Sequence, residues 1–286
     1  MPELPEVETV RKGLQKRLKG FEIFQVKVFT ERSIASEGGS DLFSSNLKGL
    51  TIGNWDRRGK YLLATLLKKD GLNQKKPFGH LVVHLRMTGY FQWIQQRKSP
   101  CKHTRVSFWN NKGSEIRFVD IRKFGQMWYI PSGKEPREVV NGLKRLGPEP
   151  FSKSFTAAYL KSCLSGRKGS IKSSLLDQSV VAGVGNIYAD ETLFAAGITP
   201  SRKSGDLKEI ELNKLCKSLV SVITTSIGKG GTTFSDFRDL EGLSGNYGGQ
   251  AWVYRRDRKP CRKCGTPIEK EKICGRSTHW CPNCQR

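Results

Sequence analysis

Acidic residues are scarce in this chain. Its 286 residues hold 26 Asp and Glu against 50 Lys and Arg, a formal net charge of +24. A surplus of that size repels itself and persists in a compact protein through an anionic partner. Nucleic acid is the first candidate, ahead of an anionic membrane surface and of a merely solvated basic face. Long apolar runs are also missing. Stretches such as 61–67 fall far short of the about 18–20 residues a spanning helix needs, so no membrane span is expected. The first residues carry Glu3, Glu6 and Glu8 without an apolar stretch; neither a secretory signal nor a transit peptide is expected, and the chain reads as cytoplasmic. No long internal repeat is found. Apolar residues make up 36% and recur with a period, which excludes wholesale disorder. The length suits about two domains with a core that does not depend on disulfides.

Cysteines are not spread as a disulfide framework would spread them. Cys101, Cys163 and Cys216 are scattered, while Cys261, Cys264, Cys274, Cys281 and Cys284 crowd into the last 26 residues. Cys261-x2-Cys264, 16 residues, then Cys281-x2-Cys284 is the spacing of two knuckles that aim four thiolates at one point. Four protein ligands leave no open position, so one structural Zn2+ is expected, with Cys274 outside the set. From Arg255 to Arg286 ten Lys and Arg face three acids, a composition suited to gripping a phosphate backbone.

Periodicity orders the chain. Val7, Val10, Leu14 and Leu18 mark an amphipathic helix over 5–18. From 21 to 130 the period becomes two, with strands expected at 21–29, 60–67, 80–87, 89–94, 104–109, 115–120 and 126–130, a hairpin turn at 110–113, and loops at 33–41 and 68–76. That many short strands predict a β-sandwich or flattened barrel. Prolines 131, 136, 148 and 150 mark a boundary. Helices are expected beyond it, over 154–164, 170–181, 187–196 and 207–227, followed by a glycine-rich loop over 228–249.

Residue 2 is proline. Removal of Met1 would expose a secondary amine, partly neutral near pH 7 because α-amino groups titrate near ~8. Attack on a sugar C1′ expels a base and leaves an iminium whose C2′ proton is acidic; Glu3 stands beside it to move protons. On residues alone the plainer reading stays open, with Pro2 as a helix-start residue and the acids as dipole partners. Gly183-Val184-Gly185-Asn186 ahead of a helix offers backbone N–H groups to a phosphate, or merely makes a turn.

Met1-Pro2-Glu3-Leu4-Pro5-Glu6-Val7-Glu8 closely resembles the start of the bacterial formamidopyrimidine-DNA glycosylases, which remove oxidised purines such as 8-oxoguanine. The resemblance runs along the whole chain through Arg58–Leu63, His84–Gly89, Asp120–Gly125, Leu146–Pro150, Gly183–Ala189, Gly230–Thr233 and the cysteine module. It implies an α+β multidomain fold. An N-terminal helix and β-sandwich would occupy 1–131 and a linker 132–150. A helical helix-two-turn-helix domain with a lesion-capping loop would follow over 151–250, then a zinc-binding β-hairpin over 251–286. It implies roles as well: Pro2 as Schiff-base nucleophile, Glu3 as general acid/base, Lys60 assisting β-elimination, and Arg276 serving δ-elimination and phosphate binding. Met87, Arg122 and Phe124 would fill the void left by a flipped base; His103, Arg167, Lys168 and Asn186 would contact DNA. The implied partner is damaged double-stranded DNA, bound by a monomer at the nucleoid. Ile121, Lys123 and Arg86 depart from the commoner Pro, Arg and small residue. An endonuclease VIII-like enzyme for oxidised pyrimidines is the neighbouring alternative, against which Leu4 speaks. A non-catalytic zinc-dependent DNA-binding protein is the alternative of another class.

Overall fold

The computed structural model describes residues 1–72, 74–95, 98–232 and 247–286. These divide into two compact units. One holds Met1–Pro2, Glu6–Lys144 and Thr232; the other holds Glu3–Pro5, Arg145–Gly231 and residues 247–286.

The first unit takes in helix α1 (Leu4–Leu18) from Glu6 onward, and the apolar stripe of Val7, Val10, Leu14 and Leu18 is buried. Two four-stranded antiparallel sheets follow. One has the order β1 (Gln25–Val28), β6 (Thr104–Trp109), β7 (Glu115–Asp120), β5 (Gly89–Ile94). The other runs β2 (Thr51–Arg58), β3 (Tyr61–Lys69), β4 (Lys75–His84), β8 (Gln126–Pro131). Trp55, Leu62, Ala64, Leu66, Leu81 and Val83 from the second sheet meet Phe91, Val106, Phe108, Ile116 and Phe118 from the first in one core, together with the α1 stripe. That is the expected β-sandwich.

Four local expectations are corrected. Helix α2 (Gly39–Leu47) starts inside a segment read as loop; Phe43 and Leu47 alone are buried there, too few for a periodic signal. Strand β2 was not expected at all. Its register shifts between Ile52 and Trp55, so the bulge at Gly53-Asn54 erases the alternation. The loop expected over 68–76 shrinks to its middle, because β3 and β4 stay paired through Lys68 opposite Lys76 and Lys69 opposite Lys75. Four lysines in the ladder conceal the strand ends from any apolar pattern. The strand expected over 21–29 keeps only its second half as β1. In the boundary segment, α3 (Pro136–Val139) and α4 (Asn141–Lys144) are short helices.

The second unit packs α5 (Ala157–Leu164), α6 (Ile171–Leu176), α7 (Asn186–Ala196) and α8 (Glu209–Gly228) around Leu160, Leu175, Tyr188, Leu193, Leu215 and Leu219. The helix expected over 170–181 stops at Leu176. The Asp177 carboxylate accepts from Ser179 N at 3.0 Å and turns the chain. The strands β9 (Glu269–Ile273) and β10 (Arg276–Trp280) form the expected hairpin. Of the glycine-rich loop, 233–246 lie outside the described residues. No helix among the described residues is long and apolar enough to cross a membrane.

Gly79 shows how tightly the second sheet is built. Its φ is +145°, and a Cβ there would lie 2.2 Å from the Ile130 carbonyl oxygen of the neighbouring strand. Gly79→Ala is expected to destabilise the protein by about 2 kcal/mol or more, read as a lower midpoint in thermal unfolding.

Candidate active site and nucleic-acid interface

Helix α7 begins without a cap of its own, since its N-cap is Gly185. The orphan amides are met instead by Glu3, 3% exposed. Its Oε1 accepts from Ile187 N at 3.0 Å and its Oε2 from Tyr188 N at 3.3 Å. A carboxylate here also faces the positive end of the helix dipole. Gly185 makes the approach possible, because a Cβ on it would fall 2.3 Å from the Glu3 Cδ. Gly183, at φ +89°, turns its carbonyl to accept from Leu4 N at 3.0 Å. The glycine turn read as a phosphate cradle thus already holds an anion from within the chain. The Asn186 side-chain amide donates to Ser277 O at 2.8 Å, on the hairpin strand β10.

That hairpin is tied down by a buried charge cluster. Lys172 Nζ lies 2.6 Å from Asp190 Oδ1, both fully buried, and donates to Thr278 Oγ1 at 2.8 Å. Burial pulls the Lys172 ammonium below its ordinary range, opposed by Asp190. Asp190 Oδ2 accepts from His279 N at 2.9 Å. Glu191, next along α7, accepts from the amides of Trp252, Val253 and Tyr254 at 2.8, 3.0 and 2.9 Å, while burial raises its carboxyl. Neither Lys172 nor these acids was singled out from sequence. An Asp-Glu pair inside an apolar helix was the available signal. Cys274 (φ 48°) and Gly275 (φ 75°) form the two-residue turn of the hairpin, and exposed Arg276 follows at once. On this unit Lys168 is exposed and Arg167 pairs with Asp177 at 3.0 Å.

The Sγ atoms of Cys261, Cys264, Cys281 and Cys284 lie within 4.8 Å of one another. Cys261 to Cys284 is 4.0 Å and Cys264 to Cys281 is 3.5 Å. Tetrahedral Zn–S bonds of about 2.3 Å place sulfurs about 3.8 Å apart, so the four thiols fit one zinc ion. Cys274 is not among them.

In the first unit Pro2 is buried behind a half-exposed Met1. Lys60, 8% exposed, sits in the Gly59-Lys60 turn joining β2 to β3. His84 pairs across from Tyr61, at the same end of the sheet. Burial first, then the charges of Arg86 and Lys60, push its imidazole down to about 3. It is therefore neutral and accepts from Arg86 N through Nδ1 at 3.0 Å. Arg86 and Lys123, two of the departures, both adopt the left-handed conformation, at φ 55° and 59°. Of the small residues, glycine alone would bear that without strain.

The turns carrying Met87 and Arg122-Lys123-Phe124 are joined by one carboxylate. Asp120, fully buried, accepts from the Thr88 hydroxyl, from Arg122 N at 3.1 Å and from Gly125 N at 2.7 Å. Met87 and Phe124 are exposed, at 38% and 37%, so neither is a core residue. Arg122 Nη1 meets Met87 Sδ at 3.0 Å, and its guanidinium lies 5.0 Å from the Phe124 ring centre. His103 Nδ1 lies 3.4 Å from Arg105 Nη2, and its carbonyl accepts from Asp120 N at 2.9 Å. Glu6, read from sequence only as a dipole partner, accepts from Thr232 N at 2.7 Å.

Two measurements bear on this geometry. Stripping zinc with a chelator is expected to remove most DNA affinity while far-ultraviolet β-signal persists, and added Zn2+ restores binding. His84 binds its proton less readily folded than unfolded. Its contribution to stability is whole above about pH 6.5 and is lost as the pH falls toward about 3. Between pH 6.5 and about 5, above the ordinary carboxylate range, unfolding free energy should fall more steeply for the wild type than for His84→Gln.

The chain matches three families: the formamidopyrimidine-DNA glycosylase N-terminal domain over residues 1–127, the formamidopyrimidine-DNA glycosylase H2TH domain over 146–238, and the zinc finger found in FPG and IleRS over 258–286. It is 72% identical over 285 residues to a formamidopyrimidine-DNA glycosylase of Prochlorococcus marinus strain MIT 9211, covering 100% of both chains. It is 59% identical to that of Parasynechococcus marenigrum, again over 100% of both. A Lactococcus lactis FPG mutant in complex with a Fapy-dG containing DNA superposes with a TM-score of 0.88 at 32% identity, covering 100% of both chains. The chain belongs to the formamidopyrimidine-DNA glycosylase family.

Proposed function

We infer that this protein is a base-excision repair enzyme. It excises oxidised purines, 8-oxoguanine and formamidopyrimidines, from duplex DNA and then cuts the strand as a lyase. The observation that carries the reading is the docking of Glu3 on the N-terminus of α7, which orders the segment that bears Pro2. The DNA complexes of Lactococcus lactis Fpg support it.

The chemistry follows from a secondary amine. Once Met1 is removed, the Pro2 nitrogen attacks C1′ of a flipped nucleotide; the bond to the base breaks and the base leaves with its electron pair and a proton. Loss of the amine proton and opening of the sugar leave an iminium at C1′. That group takes up the electrons of the C2′–H bond as a base removes the proton, and the C3′–O bond breaks in β-elimination. A second proton loss breaks the C5′–O bond in δ-elimination, and water releases Pro2. Glu3 moves protons at the sugar, held in one orientation by two amides. Lys60 assists β-elimination and Arg276 holds phosphate through δ-elimination. Met87, Arg122 and Phe124 occupy the gap in the stack. His103, Arg167, Lys168 and Asn186 complete the backbone contacts, and residence with the chromosome in the cytoplasm belongs to the same proposal. Zinc supplies no chemistry; the four cysteines would hold it to brace the hairpin that carries Arg276.

The test is covalent trapping. Protein is mixed with duplexes holding 8-oxoguanine, an oxidised pyrimidine or no lesion, and borohydride is added. A trapped complex is expected on the purine duplex, to be lost in Pro2→Ala, with mass spectrometry showing Met1 absent. Preferred trapping of the pyrimidine duplex would turn the reading to an endonuclease VIII-like enzyme. Tight DNA binding without trapping would turn it to a binding protein.

A further inference from the structure

Phe124 has a second cationic neighbour that neither the motifs nor the resemblance singled out. The Arg32 guanidinium carbon lies 5.3 Å from the Phe124 ring centre, about as close as that of Arg122 at 5.0 Å. The two arginines differ in how they are held. Arg122 shares the 121–125 turn with the ring and also reaches Met87. Arg32 stands on a separate support, a 3-10 turn over Glu31–Ser33. That turn is fastened to the sheet: Ser33 is fully buried, and Ala35 N donates to Met127 O on β8 at 2.8 Å. Among the described residues no carboxylate pairs with Arg32, though it is exposed.

A wedge that enters a base stack works only if its ring is presented in one orientation, since a freely rotating side chain loses entropy on insertion. Arg122 cannot supply that orientation throughout, because pairing with an orphaned base draws its guanidinium away from the ring. Arg32 can, because it stands on a support separate from the turn and bonded to β8. A cation near an aromatic ring at an exposed site holds it weakly enough to let go on insertion.

We propose that Arg32 is a positioning residue for the Phe124 wedge, holding the ring in the orientation from which it enters the duplex. This inference rests on the reading of Phe124 as a wedge. The test is a double-mutant cycle of Arg32→Ala and Phe124→Ala on two substrates: 8-oxoguanine opposite cytosine in a duplex, and an abasic site in single-stranded DNA, where no stack must be opened. Arg32→Ala is expected to lower kcat/KM on the duplex about two- to fivefold and to leave single-strand cleavage unchanged. Arg32→Lys retains more duplex activity than Arg32→Ala, and the double variant matches Phe124→Ala alone. Additive losses would show that Arg32 acts on DNA independently of the ring. Equal losses on both substrates, or no loss, would also overturn the proposal. If Phe124→Ala itself spares duplex excision, the wedge reading fails; if Phe124→Ala impairs it and Arg32→Ala does not, only the positioning role fails.

Discussion

A helix end needs partners for its amides, and α7 has no side chain of its own to provide one. That constraint places Glu3. The carboxylate reaches two amides from 184 and 185 positions away in sequence, and it fits only because Gly185 has no side chain to block it. Leu4, next to Glu3, is buried in the core of the same unit. A charge at the helix end and an apolar anchor beside it fix the backbone on the C-terminal side of Pro2, so a terminal residue that would ordinarily fray is held.

The same device recurs at four other acids. Glu3, Glu6, Asp120, Asp190 and Glu191 are all nearly or fully buried, and each accepts from at least one backbone amide. Backbone amides stabilise a buried carboxylate without neutralising it. Every acid placed inside in this way is removed from the surface that would meet an anionic partner. Steep salt dependence of DNA binding is the physical consequence. Several of these acids also join segments far apart in the chain. Asp120 joins the turns bearing Met87, Arg122 and Phe124; Asp190 and Lys172 secure the hairpin bearing Arg276; Glu191 secures 252–254.

Legibility in the sequence tracked the range of the interaction responsible. The α1 stripe, strands β5, β6, β7 and β8, and the four-cysteine spacing were readable because each is a local repeat that states its own geometry. Strand β2 was hidden by a bulge, the ends of β3 and β4 by lysines in the ladder, and α2 by its sparse apolar content. The family was legible for another reason. The opening Pro-Glu and the blocks that follow form an ordered series that matches one family, although Lys60 and Arg276 are individually two among 50 basic residues.

By itself, then, the sequence determined the family through its ordered series of motifs, and the strand-rich and helical architecture, the zinc ligands and the affinity for polyanions through composition, period and spacing, all of them properties of the chain alone. Only the tertiary structure decided what satisfies the start of α7, that His84 is neutral, that Met87 and Phe124 stand exposed, and that Arg32 lies against the Phe124 ring. These outcomes depend on which distant backbone amides, charges and rings share a neighbourhood and on how much water is excluded there. No local pattern encodes either quantity.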